Sequence, residues 1–222
     1  MAEHPNEVEE ITDRASALML NTGNITDVRM KSMSLSAQMA KVRGIPILID
    51  MVGVACSTLR REYAMNLIEK FSPSVIKGNY SEIASMYDTS YSSPGVDAEP
   101  TVTLSDIENI SLELAVKYGT VVLATGKTDV ISDGKMIVCV DNGTSKLADI
   151  TGTGCMLGSL CTALMTSAQP LDASVSACCY FGICGELATK DRGLGSFYIS
   201  LMDKLSTLEK GEISENLKVE GW

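Results

Sequence analysis

Three short runs, Ile45-Pro46-Ile47-Leu48-Ile49-Asp50, Ser74-Val75-Ile76-Lys77-Gly78-Asn79 and Thr120-Val121-Val122-Leu123-Ala124-Thr125-Gly126, constrain this chain more than any other feature. Each is apolar and rich in β-branched residues, with little of the alternation that marks a strand wet on one face. Such runs suit strands buried on both faces of a parallel sheet. A helix-length segment precedes each of them. Lys31 to Arg43 carries Met33, Leu35, Met39 and Val42 before the stop at Gly44, and Thr58 to Lys70 and Ser105 to Tyr118 repeat the arrangement. The alternation predicts an α/β fold: a central, mostly parallel sheet, right-handed crossovers, and helices on both faces. In such folds ligands collect at the carboxyl ends of the strands. Here those ends hold Asp50, then Lys77-Gly78-Asn79, then Thr125-Gly126.

The rest of the chain fits around this frame. Residues 7–19 place Val8, Ile11, Ala15 and Leu18 at helical spacing, while Ser16 to Leu20 followed by Asn21-Thr22-Gly23-Asn24 reads equally well as a short strand and turn. Asp88 to Gly95 is a polar Ser/Pro/Gly stretch expected to be a surface connection. Ile131 to Val140, with Ser132-Asp133-Gly134 inside it, predicts an antiparallel hairpin. From Ser159 onward the pattern is helical, with Gly182 and Gly185 allowing close helix packing. A length of 222 residues is expected to form a single domain, 1–222.

Charge and composition exclude several functions. Eighteen basic against 28 acidic side chains give a net charge of -10, a mean field that repels nucleic acid and anionic membranes. Small anions remain admissible, because backbone N–H groups and a metal ion hold phosphate inside acidic proteins. The seven cysteines, Cys56, Cys139, Cys155, Cys161, Cys178, Cys179 and Cys184, form no CxxC pair and no zinc spacing, and are expected to be reduced and mostly buried. The single histidine, His4, lies too near the start to anchor a histidine-based nucleophilic mechanism. The N-terminus lacks a basic region followed by an apolar run, and a cytoplasmic location is expected.

Chemistry concentrates at Thr151-Gly152-Thr153-Gly154-Cys155, which Met156, Leu157, Leu160 and Leu164 follow at helical spacing. A glycine-rich turn opening a buried helix aims free N–H groups and the positive end of the helix dipole at one point, an anion hole for a transferred phosphoryl group. Cys155, in the first turn, is expected to have its thiol pKa lowered from about 8.5 and to act as a base. The same residues also read as a tight turn beside a small buried side chain.

The T-G-T-G-C turn, Val75 to Asn79 with Glu82, Thr120 to Gly126, and Gly195-Ser196-Phe197 resemble, in order and spacing, the hydroxyethylthiazole kinases of the ribokinase-like superfamily. The resemblance runs from Met1 to about Leu208. It implies ATP-dependent phosphorylation of the primary alcohol of 4-methyl-5-(2-hydroxyethyl)thiazole, a salvage step toward thiamine, with magnesium as cofactor and a homotrimer as the assembly. It also implies roles. Cys155 stands beside the substrate hydroxyl, Gly152 and Met1 contact the substrate, and Lys77 and Thr125 contact ATP. Asp50 and Glu82 organise magnesium and phosphates, through waters. Taken alone, Asp50 also reads as a strand end, Glu82 as a helix cap and Lys77 as a solvated charge.

Three departures accompany the resemblance. The family's leading strand–helix segment, roughly 45 residues or about one βα unit, has no counterpart after Met1. Met51 follows Asp50 where the family has proline, so the loop is expected to sit differently, and Lys77 replaces an arginine, keeping the charge but losing the planar grip on phosphate. Two other readings stay open: a truncated, non-catalytic ligand-binding or oligomer subunit of the same fold, and a hydroxymethylpyrimidine-type kinase.

Overall fold

The computed structural model describes residues 2–88, 102–188 and 193–222. Met1 and most of the polar stretch after Asp88 lie outside them. Seven strands form one sheet in the order β1-β2-β3-β4-β5-β6-β7. The strands β1 (Leu18–Asn21), β2 (Ile47–Asp50), β3 (Val75–Asn79) and β4 (Val121–Thr125) run parallel. The hairpin expected between Ile131 and Val140 is present as β5 (Asp129–Ser132) and β6 (Ile137–Val140), antiparallel to β4 and to each other. The sheet therefore joins a parallel half to an antiparallel half.

The parallel half follows from the sequence pattern. Ile47, Leu48, Ile49, Ile76, Val122 and Leu123 are all at most 3 % exposed, as strands covered on both faces require. On one face, Leu20, Ile49, Ile76 and Val122 pack with α2 (Asp27–Arg43), α3 (Thr58–Phe71), α4 (Tyr80–Tyr87) and α5 (Leu104–Tyr118). On the other, Leu48, Val75, Leu123, Ile131 and Val140 pack with α6 (Thr153–Leu164), α7 (Pro170–Leu187) and α8 (Leu194–Thr207). Among the described residues no helix is long and apolar enough to cross a membrane.

The helices begin and end where local chemistry dictates. Thr26 and Ser57 cap α2 and α3 by accepting the backbone N–H groups of Arg29 and Arg60. Gly44 and Gly119 close α2 and α5 in the left-handed conformation, at φ 66° and 60°. The first helix, α1 (Val8–Asp13), is shorter than its periodicity suggests. After it the chain turns, and Leu18 to Asn21 join the sheet, because Leu18 N–H donates to Pro46 O at 2.9 Å and pairing with β2 outweighs a lone amphipathic turn.

Two elements at the ends of the pattern were not visible in it. The helix α4 has only eight residues and follows β3 directly, so its short apolar repeat of Tyr80, Ile83 and Ala84 does not stand out. At the far end, past α9 (Lys210–Asn216), Val219–Glu220 form β7 against β6. This last strand is tied down by one polar cluster. Asn142 donates to Asn216 O at 2.7 Å and accepts from Lys218 N–H at 3.0 Å, while Glu186 of α7 accepts from Gly143 N–H at 2.7 Å and pairs with Lys218 at 3.0 Å.

Gly182 and Gly185 of α7 do allow a close approach, but to the loop after β6 instead of to another helix. A methyl group on Gly182 would stand 2.4 Å from Asn142 O, whereas one on Gly185 would meet the movable Leu147 Cδ1 at 2.8 Å. Gly182→Ala is therefore expected to cost about 1–3 kcal/mol, and Gly185→Ala clearly less, as read from urea unfolding.

Candidate active site

Parallel register brings the polar strand ends into one row. Asn21 of β1 faces Asp50 of β2, and Asp50 faces Lys77 of β3. Residues in register across a sheet point to the same face, and here that face is the one covered by α6. Asp50 Oδ1 receives Lys77 Nζ at 2.9 Å, with the two side chains only 1 % and 4 % exposed. Burial by itself would lower the Lys77 pKa, but the charge and hydrogen bond of Asp50, helped by Glu82 and Cys155, reverse this and raise it. The lysine is thus a fixed cation under the strand ends, not a solvated surface charge.

The helix α6 is laid directly over this row. Gly158 makes that possible: a methyl group there would lie 2.7 Å from Met19 Cε and 3.5 Å from Lys77 Cδ. One turn earlier, Gly152 opens the helix at φ 102°, a conformation that favours glycine, and has no side chain to cap it. Thr153 is turned inward, its hydroxyl donating to Leu147 O at 2.8 Å and Ile150 O at 3.0 Å, which braces the turn from below. Thr151, Gly152 and Gly154 are left at least partly accessible, so α6 begins as an uncapped and open helix N-terminus. A Cβ on Gly154 would lie 3.7 Å from Lys77 Nζ, so the buried ammonium stands just beneath it.

Cys155 is exposed at the same turn and accepts a hydrogen bond from Asn21 Nδ2 at 3.2 Å. The expectation of a lowered thiol pKa is corrected here. Partial burial and the neighbouring Asp50 carboxylate raise it, and the Asn21 bond and Lys77 offset this only in part. The thiol is protonated at neutral pH. The expectation that the cysteines are mostly buried fares better: Cys161, Cys178, Cys179 and Cys184 are buried and all seven are unbonded. His4 is exposed in the N-terminal turn, where its Nδ1 accepts Asn6 N–H at 3.2 Å.

Glu82 caps α4 and braces the neighbouring loop at once. Its Oε2 accepts Asn79 N–H and its Oε1 accepts Gly53 N–H, both at 2.8 Å. Burial pushes its pKa up to about 7, against the two backbone bonds and the Lys77 charge. Thr125, at the end of β4, faces Asn79 and donates to Gly78 O at 3.3 Å, one row beyond Lys77. Met51 is fully buried and its N–H donates to Lys77 O at 2.8 Å, a bond proline has no hydrogen to make.

The oxygens of Asp50 and Glu82 are thus engaged by protein donors, and among the described residues no group of three or more His, Cys, Asp or Glu converges as a metal cage. These carboxylates suit a cation held through water and phosphate oxygens, as magnesium commonly is. One member of the site went unread in the sequence. Asn21 belongs to a run that reads as an ordinary Asn-Thr-Gly-Asn turn, and only its place at a strand end beside Asp50 could have marked it.

A model of the hydroxyethylthiazole kinase family matches residues 1–211. "Hydroxyethylthiazole kinase 2" of Clostridium botulinum strain Hall is 42% identical over 227 residues, covering 100% of this chain and 86% of the relative. The hydroxyethylthiazole kinase of Finegoldia magna is 37% identical, covering 98% of this chain and 80% of the relative. Among solved structures, the hydroxyethylthiazole kinase protein of Pyrococcus horikoshii OT3 superposes with a TM-score of 0.90 at 29% identity, over 100% of this chain and 83% of that one. The Staphylococcus aureus pyridoxal kinase in complex with pyridoxal, at TM-score 0.67 and 15% identity over 98% of this chain and 76% of that one, shares the fold alone. With a ribokinase-like sheet, an uncapped glycine turn over a buried lysine, and these matches along its length, the chain belongs to the hydroxyethylthiazole kinase family.

Proposed function

We propose that this chain transfers the γ-phosphoryl group of ATP to the hydroxyl of 4-methyl-5-(2-hydroxyethyl)thiazole, in thiamine salvage. The observation that carries the reading is the stacking of three groups at one point: the open first turn of α6, the Cys155 thiol beside it, and the Lys77 ammonium beneath. Phosphoryl transfer asks little covalent chemistry of a protein and much positioning and charge neutralisation. Amides of the Gly152 to Cys155 turn suit the phosphoryl oxygens, and Lys77 adds a permanent positive charge below them. Thr125 and Lys77 are the nucleotide-side residues, and Gly152 and Met1 the thiazole-side ones.

Cys155 is read as the group that orients the alcohol. In a loose transition state the attacking oxygen keeps its proton until late, so a protonated thiol that holds the hydroxyl in line serves the reaction. Magnesium, brought with ATP, would supply charge neutralisation between the phosphates, with Asp50 and Glu82 meeting its water shell. A homotrimer is the assembly proposed, with the thiazole alcohol and ATP as the small-molecule partners.

The first test is ATP consumption by the purified chain in magnesium with and without hydroxyethylthiazole, the product identified by mass. Thiazole-dependent formation of the phosphate ester is expected. A folded protein that turns over hydroxymethylpyrimidine instead, or nothing, overturns the reading. Cys155→Ala is expected to lower kcat by about 10²-fold with the KM for ATP unchanged, while Cys155→Asp, which restores an oxygen acceptor, keeps measurable turnover. Lys77→Met leaves Asp50 buried without its counter-ion and is expected to cost about 3–5 kcal/mol in urea unfolding. Adding Asp50→Asn recovers most of that stability but not the turnover, which separates the lysine's structural role from its catalytic one.

A further inference from the structure

Asn21 touches both halves of the site, the strand-end carboxylate and the first turn of α6. Its Nδ2 donates to Asp50 Oδ2 at 2.8 Å and to Cys155 Sγ at 3.2 Å, and its Oδ1 accepts Gly23 N–H at 2.8 Å. Two amide hydrogens and one carbonyl oxygen are thereby matched to two acceptors and one donor. The match also fixes which end of the amide is which. Turned over, the carboxamide would set its oxygen against the Asp50 carboxylate and its NH2 against the Gly23 N–H, losing both of those bonds.

The backbone that carries this side chain is held on both sides. Asn21 is in register with Asp50, and the next residue, Thr22, donates its N–H to Asp50 O at 3.1 Å and its hydroxyl to Val52 O at 2.8 Å. Arg60 also donates to Thr22 O. Gly23 shapes the amide from the other side. A methyl group there would stand 2.8 Å from Asn21 Oδ1, closer than a real contact permits, and a tight 3.2 Å from Val52 Cγ1.

We propose that Asn21 is a positioning residue that sets the place and direction of the Cys155 thiol by bridging it to Asp50, with Gly23 keeping the bridge aligned. A sulfur that accepts from Asn21 has one lone-pair direction occupied, so its S–H bond is free to be aimed at a carboxylate or an incoming hydroxyl oxygen. Asn21 also couples the thiol to the buried ion pair, because the Asp50 carboxylate that it grips is the one that holds Lys77. The hydroxyl-orienting group and the phosphate-facing cation therefore share one rigid frame. The inference rests on the kinase reading above, in which Cys155 faces the substrate alcohol.

The test compares the full chain with Asn21→Leu, which keeps the volume but removes both donors, and Gly23→Ala, which keeps Asn21 but displaces its amide. Steady-state phosphorylation of hydroxyethylthiazole by ATP is measured with each, alongside the urea midpoint. The expected result is a kcat lower by about 10- to 100-fold in both variants, with both KM values within about twofold of the parent. A loss that falls in KM, or a kcat within about twofold for Asn21→Leu, overturns the positioning role, because space-filling alone would then suffice. Should Asn21→Leu fail to fold, an unchanged kcat in Gly23→Ala overturns it equally. A parent chain with no thiazole-dependent turnover sinks the kinase reading and this inference with it, whereas an active parent with indifferent variants sinks the inference alone.

Discussion

The buried pair between Asp50 and Lys77 is the contact on which the rest of this site depends. Two opposite charges taken out of water at the ends of adjacent strands are tolerable only while both are matched by further hydrogen bonds. Asn21 supplies one of these to Asp50, and the parallel register that brings Asn21, Asp50 and Lys77 side by side is what lets it do so. The backbone beyond the pair is sealed as well, since Met51 N–H caps Lys77 O and Thr22 N–H caps Asp50 O. Polar function at these strand ends is therefore inseparable from the packing of the parallel half of the sheet.

The helix α6 lays its uncapped start over that row of charges. An uncapped helix start above a fixed cation presents positive potential from two directions while each source stays internally compensated. On the proposed reading, this local potential is what admits a phosphate into a chain with a net charge of -10. The glycines here have separate duties. Gly152 permits the turn, Gly154 leaves room over Lys77, and Gly158 lets the helix close down onto Met19.

Much of this was legible in the residues, and the exceptions have physical reasons. Apolar runs ending in Asp50, Asn79 and Thr125 marked the parallel strands, because burial on both faces leaves a composition that no surface strand shares. The glycine turn marked the open start of α6. The pattern after Glu7 left Ser16 to Leu20 open between helix and strand, and hydrogen bonding to β2 decided Leu18 to Asn21 for the sheet. The helix α4 and the strand β7 escaped notice because one is a short helix directly after a strand and the other is two residues long. The Cys155 thiol was misjudged because a dipole can be read from the position of a helix, while the partial burial of the thiol and the opposing Asp50 carboxylate of β2 arise only from tertiary packing. Asn21 was missed for the same cause: its partners lie 29 and 134 residues away.

The polar cluster around Asn142 has a consequence for how the chain comes into being. Asn142 finds Lys218 only across a separation of 76 residues, and β7 is the sole strand that covers the outer edge of β6 among the described residues. While the ribosome is still making α6 to α9, that edge has its backbone groups unpaired and faces solvent. A nascent sheet in this condition offers a template to any neighbouring extended chain. The two residues of β7 and the Glu186–Lys218 contact behind them thus act as a late seal on that edge.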